Sequence, residues 1–416
     1  RCFTSRMEAA LTRLQTSLAS LRGLGAERLK LLSVLTVGHF FIHWFQQFYP
    51  VALPSIKAGL GLNDIQVGAL NSARQFIMGA LDLPLGMLAD SAVRYRGLIL
   101  ASALVFMGSA YLLMGAAPVF FWALVGSGLV GLGTSLWHPA ATASLSNKFP
   151  ERRATAIAIH GMGATIGDTL TPIGVGFLLV TFPWQIVLEM QIVPALLLGL
   201  LVLRGLAGLF ADGGAHSSRA EQVREIVELA KNPLFLWISV NMGLLQMGRL
   251  IVQTFLPIYL QEHLGYSPFV LGFYIALQHA MGTISQPILG FLSDRFGRKA
   301  VLVPSFITLG LLFVLIAVAA PGIQLALVIG AVGIFFYTLL NIVIATVMDV
   351  AGAKIQASSY GLTSLLTHMV VFPTPMVAGF LVGKYGIGSA FLLAGALVIL
   401  GGLVVAPLRL YRGSER

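Results

Sequence analysis

This chain is poor in charge. Only 10% of its 416 residues are Asp, Glu, Lys or Arg, while 57% are hydrophobic; an ordinary soluble domain has about 25% charged residues. That surplus of apolar side chains excludes a water-soluble globule. The single cysteine, Cys2, excludes an intrachain disulfide and leaves the redox compartment unreadable. Also lacking are a phosphate-binding glycine loop with its Lys, a zinc-ligand spacing, and a second domain that could house a soluble active site. ATP-driven transport is therefore disfavoured, and neither an enzyme nor a cofactor- or metal-dependent protein is expected. The net charge of +10 does not imply nucleic acid, because the basic residues are distributed by side rather than gathered into a stripe.

What is present is a series of long apolar runs. A helix crossing a bilayer needs ~20 mostly apolar residues, because every backbone group must be hydrogen-bonded within the segment where water is absent. Twelve such segments can be marked, at 31–53, 65–89, 97–117, 119–147, 153–181, 184–207, 233–258, 268–292, 299–319, 323–347, 358–383 and 387–407. The expected fold is an all-α polytopic membrane protein with twelve transmembrane helices. Twenty-two of the 26 Lys and Arg residues fall on one set of alternate loops and ends. Only Lys57 and Lys384 fall on the other set, and Arg74 and Arg249 lie within the bilayer. That asymmetry places both termini in the cytoplasm.

The parts are then a cytoplasmic N-terminal segment, 1–30; a six-helix half, 31–207; a cytoplasmic linker, 208–232; a second six-helix half, 233–407; and a cytoplasmic tail, 408–416. In the first part Leu11, Leu14, Leu18 and Leu21 recur at helical spacing among basic residues. That suits a helix lying on the inner membrane surface, with an unordered tail or a transit peptide also open.

The two halves repeat. "GMLADSAVRYRG" from Gly86 returns as "GFLSDRFGRK" from Gly290, with Asp90 matched to Asp294 and Gly68 to Gly272. "TPIGVGFLL" from Thr171 returns as "TPMVAGFLV" from Thr374. Parallel six-helix repeats are one of the patterns of secondary transporters, with the substrate site between the halves near the bilayer midplane.

Over nearly all of 31–407 these residues resemble the major facilitator superfamily. Its loop signature is matched by Gly290, Leu292, Asp294, Arg295, Gly297, Arg298 and Lys299. The resemblance implies that Asp294 receives the N-terminal end of a neighbouring helix while an Arg pairs nearby, latching the cytoplasmic side in the outward-facing state. In the earlier copy Gly86, Leu88 and Asp90 remain, but Ser91 and Val93 replace the signature's Arg and Gly. More narrowly, "GHFFIHWFQQFYP" and "LWHPAATASLSNKFPERRATAIAIHGMGATIG", with its His138-Pro139 pair, look like the fosmidomycin-resistance branch, which exports a phosphonate antibiotic. The resemblance implies a small-molecule substrate, a monomer and a bacterial inner membrane.

Several intramembrane positions carry chemistry. In the second segment Asn71, Arg74, Gln75 and Asp82 form one polar stripe on an apolar helix, which must look inward. In the seventh, Gln246, Arg249 and Gln253 do the same. Each guanidinium would cost at least ~2.5–3.5 kcal/mol if it faced lipid at the bilayer centre. Two readings follow: an anion clamp using the planar N–H fork, or structural pairs with Asp168 or Asp82. The superfamily resemblance adds that segments one, four, seven and ten line the cavity, which favours Arg249 and adds Tyr337 and Asn341. In the first segment Thr36, His39, His43 and Gln46 share a face. Histidine titrates near ~6.5, so His43 could carry a coupling proton or only touch substrate. Asp168 stands at mid-depth in a glycine-rich fifth segment and is the first candidate proton site, because an intramembrane carboxylate is costly unless it has a function. The glycines there resemble the superfamily's antiporter motif, or serve close packing alone.

Three functions stay open: proton-coupled export of a small anionic or amphipathic compound, import or exchange of organic anions, and, least favoured, a receptor or enzyme on the same scaffold.

Overall fold

The computed structural model of the chain describes residues 25–116, 119–209, 224, 227–351 and 356–408, without the side chains of 90, 154, 350, 351 and 356–361. Leu11, Leu14, Leu18 and Leu21, most of the 208–232 linker and nearly all of the 408–416 tail lie outside the described residues, as does the Asp90 side chain.

The described chain is helical throughout. Its α-helices are α1 (Ala26–Leu60), α2 (Asp64–Ser91), α3 (Arg96–Ala116), α4 (Phe120–Lys148), α5 (Arg153–Thr181), α6 (Trp184–Glu189) and α7 (Ile192–Gly205). Then follow α8 (Pro233–Ile258), α9 (Pro268–Phe296), α10 (Arg298–Ile316), α11 (Ile323–Phe336), α12 (Thr338–Ala351), α13 (Gln356–Val371), α14 (Thr374–Tyr385) and α15 (Gly388–Val405). Among the described residues nine helical stretches are long and apolar enough to cross a membrane. α1, α2 and α9, at 35, 28 and 29 residues, are also long enough to cross, but are less apolar than those nine.

Three expected segments are broken rather than continuous. The sixth is divided at Met190–Gln191, the tenth at Tyr337 and the eleventh at Phe372–Pro373. Both sides of each break are apolar, so a run of apolar residues continues through it and does not register it. α1 overruns its expected segment at both ends because a helix does not stop at the bilayer surface. Its true stop is Gly61 in the left-handed region, φ 62°, a conformation that suits glycine.

The repeat has a structural counterpart. α2 packs on α13 and α14, and α5 packs on α9, so the two sets of helices, α1–α7 and α8–α15, meet along two matching seams. A Cβ on Gly68 would strike the backbone of Pro375, and one on Gly272 the backbone of Pro172. Likewise Gly379 faces the Asp64 carbonyl and Gly176 the Pro268 carbonyl. Each contact at one seam is the repeat mate of a contact at the other, which accounts for the recurrence of these short motifs.

Both tight seams lie near the end of the bundle that carries Lys57. There Lys57 Nζ bonds Glu262 Oε2 at 2.6 Å and Asp64 Oδ1 at 2.8 Å, tying α1 and α2 to the short π-helix Tyr259–His263 after α8. At the other end the ion pairs Arg28–Glu151, Arg298–Asp294 and Arg298–Asp349 each stay within one set of helices. Glu151, exposed there, has its pKa held below the usual carboxylate range by its own backbone N–H and then by Arg28.

Candidate functional site

Glycines bring the central groups together. A Cβ on Gly167 would stand 2.6 Å from the Phe40 carbonyl and 3.1 Å from His43 Cβ, and one on Gly163 would strike the Thr36 carbonyl. α1 and α5 can therefore approach closely, and His43 Nδ1 reaches Asp168 Oδ1 at 2.8 Å. Gln47 Nε2 donates to the same oxygen at 3.0 Å. On the far side of the carboxylate, His279 Nδ1 of α9 lies 4.0 Å from Asp168 Oδ2. His279 Nε2 bonds the Tyr337 hydroxyl at 2.9 Å, and Tyr337 occupies the break between α11 and α12. A discontinuous helix beside a midplane site is a recurrent device of secondary transporters.

Arg249 follows. Its guanidinium carbon lies 4.5 Å from the Phe336 ring centroid and 5.2 Å from that of Tyr337, within cation–π range. It donates to Gln246 Oε1, its Nε has no hydrogen-bond partner among the described residues, and the residue is 6% exposed. Gln253 lies beside Tyr337. One connected cluster thus holds Arg249, Gln246, Gln253, Tyr337, His279, Asp168, His43 and Gln47, drawn from four helices, α1, α5, α8 and α9, and the α11–α12 break.

Other expected contacts fall elsewhere. Gln46 donates to Thr134 Oγ1 at 3.2 Å, and Asn341 donates to Gln286 in an exposed pair at 3.2 Å. Arg74 stands on α2 with its backbone against Gly131 of α4, and its Nε is unpartnered among the described residues. Gln75 joins a second polar group at the seam of α2 with α13. There Gln75 Oε1 accepts from His368 Nδ1 at 2.7 Å, His368 Nε2 lies 3.6 Å from Asp82 Oδ2, and Ser364 and Ser135 donate to Asp82 at 2.9 and 2.5 Å. Asp168 and Asp82 were the acids proposed as structural mates for the two arginines. Each is taken by other donors, and among the described residues neither guanidinium forms a salt bridge with them.

The loop signature is ordered around Gly297, whose φ of 91° opens the turn from α9 to α10. Arg298 donates to Asp294 Oδ1 at 2.5 Å, to Ser293 Oγ at 3.2 Å and to Asp349 Oδ2 at 3.2 Å. Asp294 and Arg295 are exposed, and a Cβ on Gly290 would meet open space. The earlier copy, lacking that glycine, turns through a 3-10 helix at Val93–Tyr95. There the buried Arg96 donates to the Ala89 carbonyl at 2.9 Å. On Gly86 a Cβ would find only Pro139, at 3.9 Å.

Sequence reasoning missed His279, which stands one residue from Gln278 and carries no pattern of its own. It also missed a histidine cluster. His39, His43 and His138 bring ring nitrogens within 4.8 Å of one another, and His39 stacks flat on His160 at 3.9 Å between centroids. The expectation that no metal-ligand spacing exists needs correction, because His39 and His43 lie four apart on one helix face, a spacing at which two histidines can share an ion.

The family model of the Major Facilitator Superfamily matches residues 35–367 and 238–416, and the chain belongs to that superfamily. It is 27% identical over 405 residues, covering 90% of this chain and 92% of the relative, to a probable sulfoacetate transporter of Cupriavidus necator. It is 30% identical over 380 residues, covering 88% of each, to a 3-(3-hydroxy-phenyl)propionate transporter of Escherichia coli. A solved nucleoside transporter shares the fold with a TM-score of 0.76 at 17% identity, over 90% of this chain and 98% of that one. The chain is an integral membrane transporter of small molecules, not an enzyme.

Proposed function

We propose that this protein moves a small organic anion across the membrane by alternating access, with Arg249 as the anion's principal contact. The observation that carries this reading is a buried guanidinium with an unpartnered Nε and no acid mate among the described residues. Such a charge is expensive inside a membrane unless something negative visits it. Gln246, Gln253 and Tyr337 supply further polar contacts beside it, and Arg74, likewise unmated, is a second contact for an extended anion. Relatives named for a sulfonate-carboxylate and for an aryl carboxylate support the same charge.

Twelve crossings in two halves, 31–207 and 233–407, with both termini, the 208–232 linker and the 408–416 tail in the cytoplasm of a bacterial inner membrane, complete the reading. Its active form is a monomer. The Lys57 end is then outside. The tight seams there, with no cross-set ion pair at the opposite end among the described residues, make this the inward-open state. Asp294, exposed and held among the described residues only by Arg298 of its own half, is a latch at rest that takes a helix N-terminus when the inner side shuts. Gly86, Asp90, Gly290, Arg295 and Gly297 shape the two copies of that turn.

The coupling ion is a proton carried between Asp168 and His43, and the direction is efflux, with the fosmidomycin-resistance likeness pointing to phosphonates as substrates. Import or exchange of organic anions, carboxylate or phosphate and phosphonate, is the alternative; the names of the two relatives support the carboxylates among them.

Counterflow in proteoliposomes under an imposed pH gradient tests this with phosphonates, sulfoacetate, aryl propionates and cationic drugs. Arg249→Lys keeps the charge but loses the planar fork. It should raise the apparent substrate constant about tenfold, ~1.4 kcal/mol, without lowering thermal stability. Normal affinity in an unstable variant would assign the guanidinium to the scaffold and remove the anion preference.

A further inference from the structure

The histidine cluster faces a task that anion transport does not require. His39 and His43 are four residues apart on α1. His138 comes from α4, which approaches α1 so closely that a Cβ on Gly38 would overlap the Trp137 ring. The rings of His39 and His43 are 4.7 Å apart between centroids, His39 and His138 5.3 Å, and His43 and His138 5.8 Å, all edge to face. Nothing in the packing of three imidazoles demands convergence of their nitrogens, yet those atoms lie within 4.8 Å of one another.

The hydrogen bonds fix which nitrogens are available. His39 Nδ1 lies 2.9 Å from the His160 carbonyl oxygen, which can only accept, so Nδ1 carries the hydrogen. His43 Nδ1 lies 2.8 Å from Asp168 Oδ1, and an ionised carboxylate likewise only accepts. In both neutral rings the lone pair is then on Nε2. His39 Nε2 is buried with no partner among the described residues, in a residue only 7% exposed. An imidazole whose Nδ1–H is held by a carbonyl or a carboxylate, with Nε2 left free, is the arrangement that metal-ligating histidines almost always show.

We propose that His39, His43 and His138 form a binding site for a first-row divalent ion, Zn²⁺ being the ion the ligand set suits best. Three neutral imidazoles match zinc, copper and nickel rather than magnesium or calcium, which take oxygen donors. Asp168, in contact with the His43 ring, offsets part of the ion's charge. His160 supplies the carbonyl that orients His39; its ring lies parallel to that of His39 at 7° and does not converge on the ion. In a tetrahedral site with Zn–N of ~2.0–2.1 Å the nitrogens stand ~3.4 Å apart, so the three rings close inward by side-chain rotation on binding. A fourth position stays open for water or an anion. The ion bridges α1 and α4 and braces His43 against Asp168; while it is bound, His43 has no free nitrogen and the coupling proton is left to Asp168.

The test uses the full-length protein in detergent, with its affinity tag removed, titrated with ZnCl₂ by calorimetry and with CoCl₂ by visible absorption. One ion per chain is expected, together with the intense visible bands of tetrahedral Co²⁺. His39→Gln and His138→Gln should each weaken binding at least about tenfold, and Asp168→Asn, which loses the orienting carboxylate, by about tenfold. His368→Gln, outside the cluster, should bind as the parent does. Absence of a stoichiometric ion, or unchanged binding in both His39→Gln and His138→Gln, overturns the site. X-ray absorption of the zinc-loaded parent covers the case in which a variant fails to fold: three imidazole nitrogens support the site, and fewer than three overturn it. Neither readout depends on transport, so the site stands or falls apart from the anion reading.

Discussion

Two partly buried acids mark the two seams, and they are served differently. At the α5 seam Asp168 accepts from His43 at 2.8 Å and Gln47 at 3.0 Å, with His279 of the second half at 4.0 Å. At the α2 seam Asp82 is held by the hydroxyls of Ser135 and Ser364, and its histidine, His368, is 3.6 Å away and turned to Gln75. Asp82 is thus satisfied by neutral donors from both halves, a fixed structural bond. Asp168 has a titratable neighbour in each half and belongs to the cluster that includes Arg249. A carboxylate that can trade one histidine for another as the halves rock is suited to carrying a proton; one held between two serines is suited to staying put.

The largest effect should come from breaking that contrast directly. Asp168→Asn should abolish accumulation driven by a pH gradient, a loss of about tenfold or more, ~1.4 kcal/mol per decade, while counterflow persists. Asp82→Asn keeps an acceptor for both serines, so it should cost about 1 kcal/mol of stability and leave accumulation coupled. Equal uncoupling by both variants, measured in the same vesicles, would show that the seams are equivalent and that the assignment to Asp168 is wrong.

Next in size is the approach that makes the Asp168 contact possible. Gly167→Ala places a methyl 2.6 Å from the backbone carbonyl of Phe40, and backbone cannot yield as a side chain can. Overpacking of this kind costs ~1–3 kcal/mol, so a lower thermal midpoint and weakened coupling should appear together. Gly290→Ala meets open space and should leave stability near that of the parent. Should Gly167→Ala be as stable as Gly290→Ala, α1 and α5 are not held in the close contact described.

A smaller change is expected at the signature turn. Asp294 is exposed and bonded to Arg298 at 2.5 Å. A carboxylate at a helix N-terminus contributes ~0.3–1 kcal/mol when exposed, so Asp294→Asn should slow turnover roughly two- to fivefold and leave the substrate constant alone. A turnover rate equal to the parent's, with normal insertion, would remove the latch.

How much of this was legible beforehand follows from what a pattern can encode. Hydropathy marks the apolar segments because the bilayer imposes a length on each. The repeat was readable because the same backbone contacts, Gly68 on Pro375 and Gly272 on Pro172, demand the same residues twice. Arg249 and Asp168 stood out because charge is rare in such a chain. The break at Tyr337 was not legible, since no proline or glycine stands there. Nor was the company each polar group keeps. Gln46 and Gln75 look alike in sequence, but one turns to Thr134 and the other reaches across a seam to His368. The zinc spacing was half visible, as His39 and His43; His138 completes it only because α4 crosses α1 where it does.

The least effect is expected at the outer tie, and it sharpens the comparison by exclusion. Burial opposes the charge on Lys57, but its hydrogen bonds to Asp64 and then to Glu262 outweigh that cost and hold its pKa above the ordinary lysine value, about 10.4. The sign follows from linkage: a cation whose folded pKa is raised contributes stability that is fully present below the unfolded pKa and lost only as pH rises through the folded value. Between about pH 5.5 and 8.5, well below that value, Lys57 therefore stays charged, and a pH dependence of transport in that window does not arise from it. Lys57→Gln should loosen the outer seam by no more than about 1 kcal/mol, as for other partly exposed pairs, and favour opening to the outside. Labelling of an introduced outer-seam cysteine should quicken while the pH profile of transport keeps its shape. If the profile instead flattens in Lys57→Gln, the outer tie is itself the titrating element, and the contrast between Asp168 and Asp82 no longer explains the coupling.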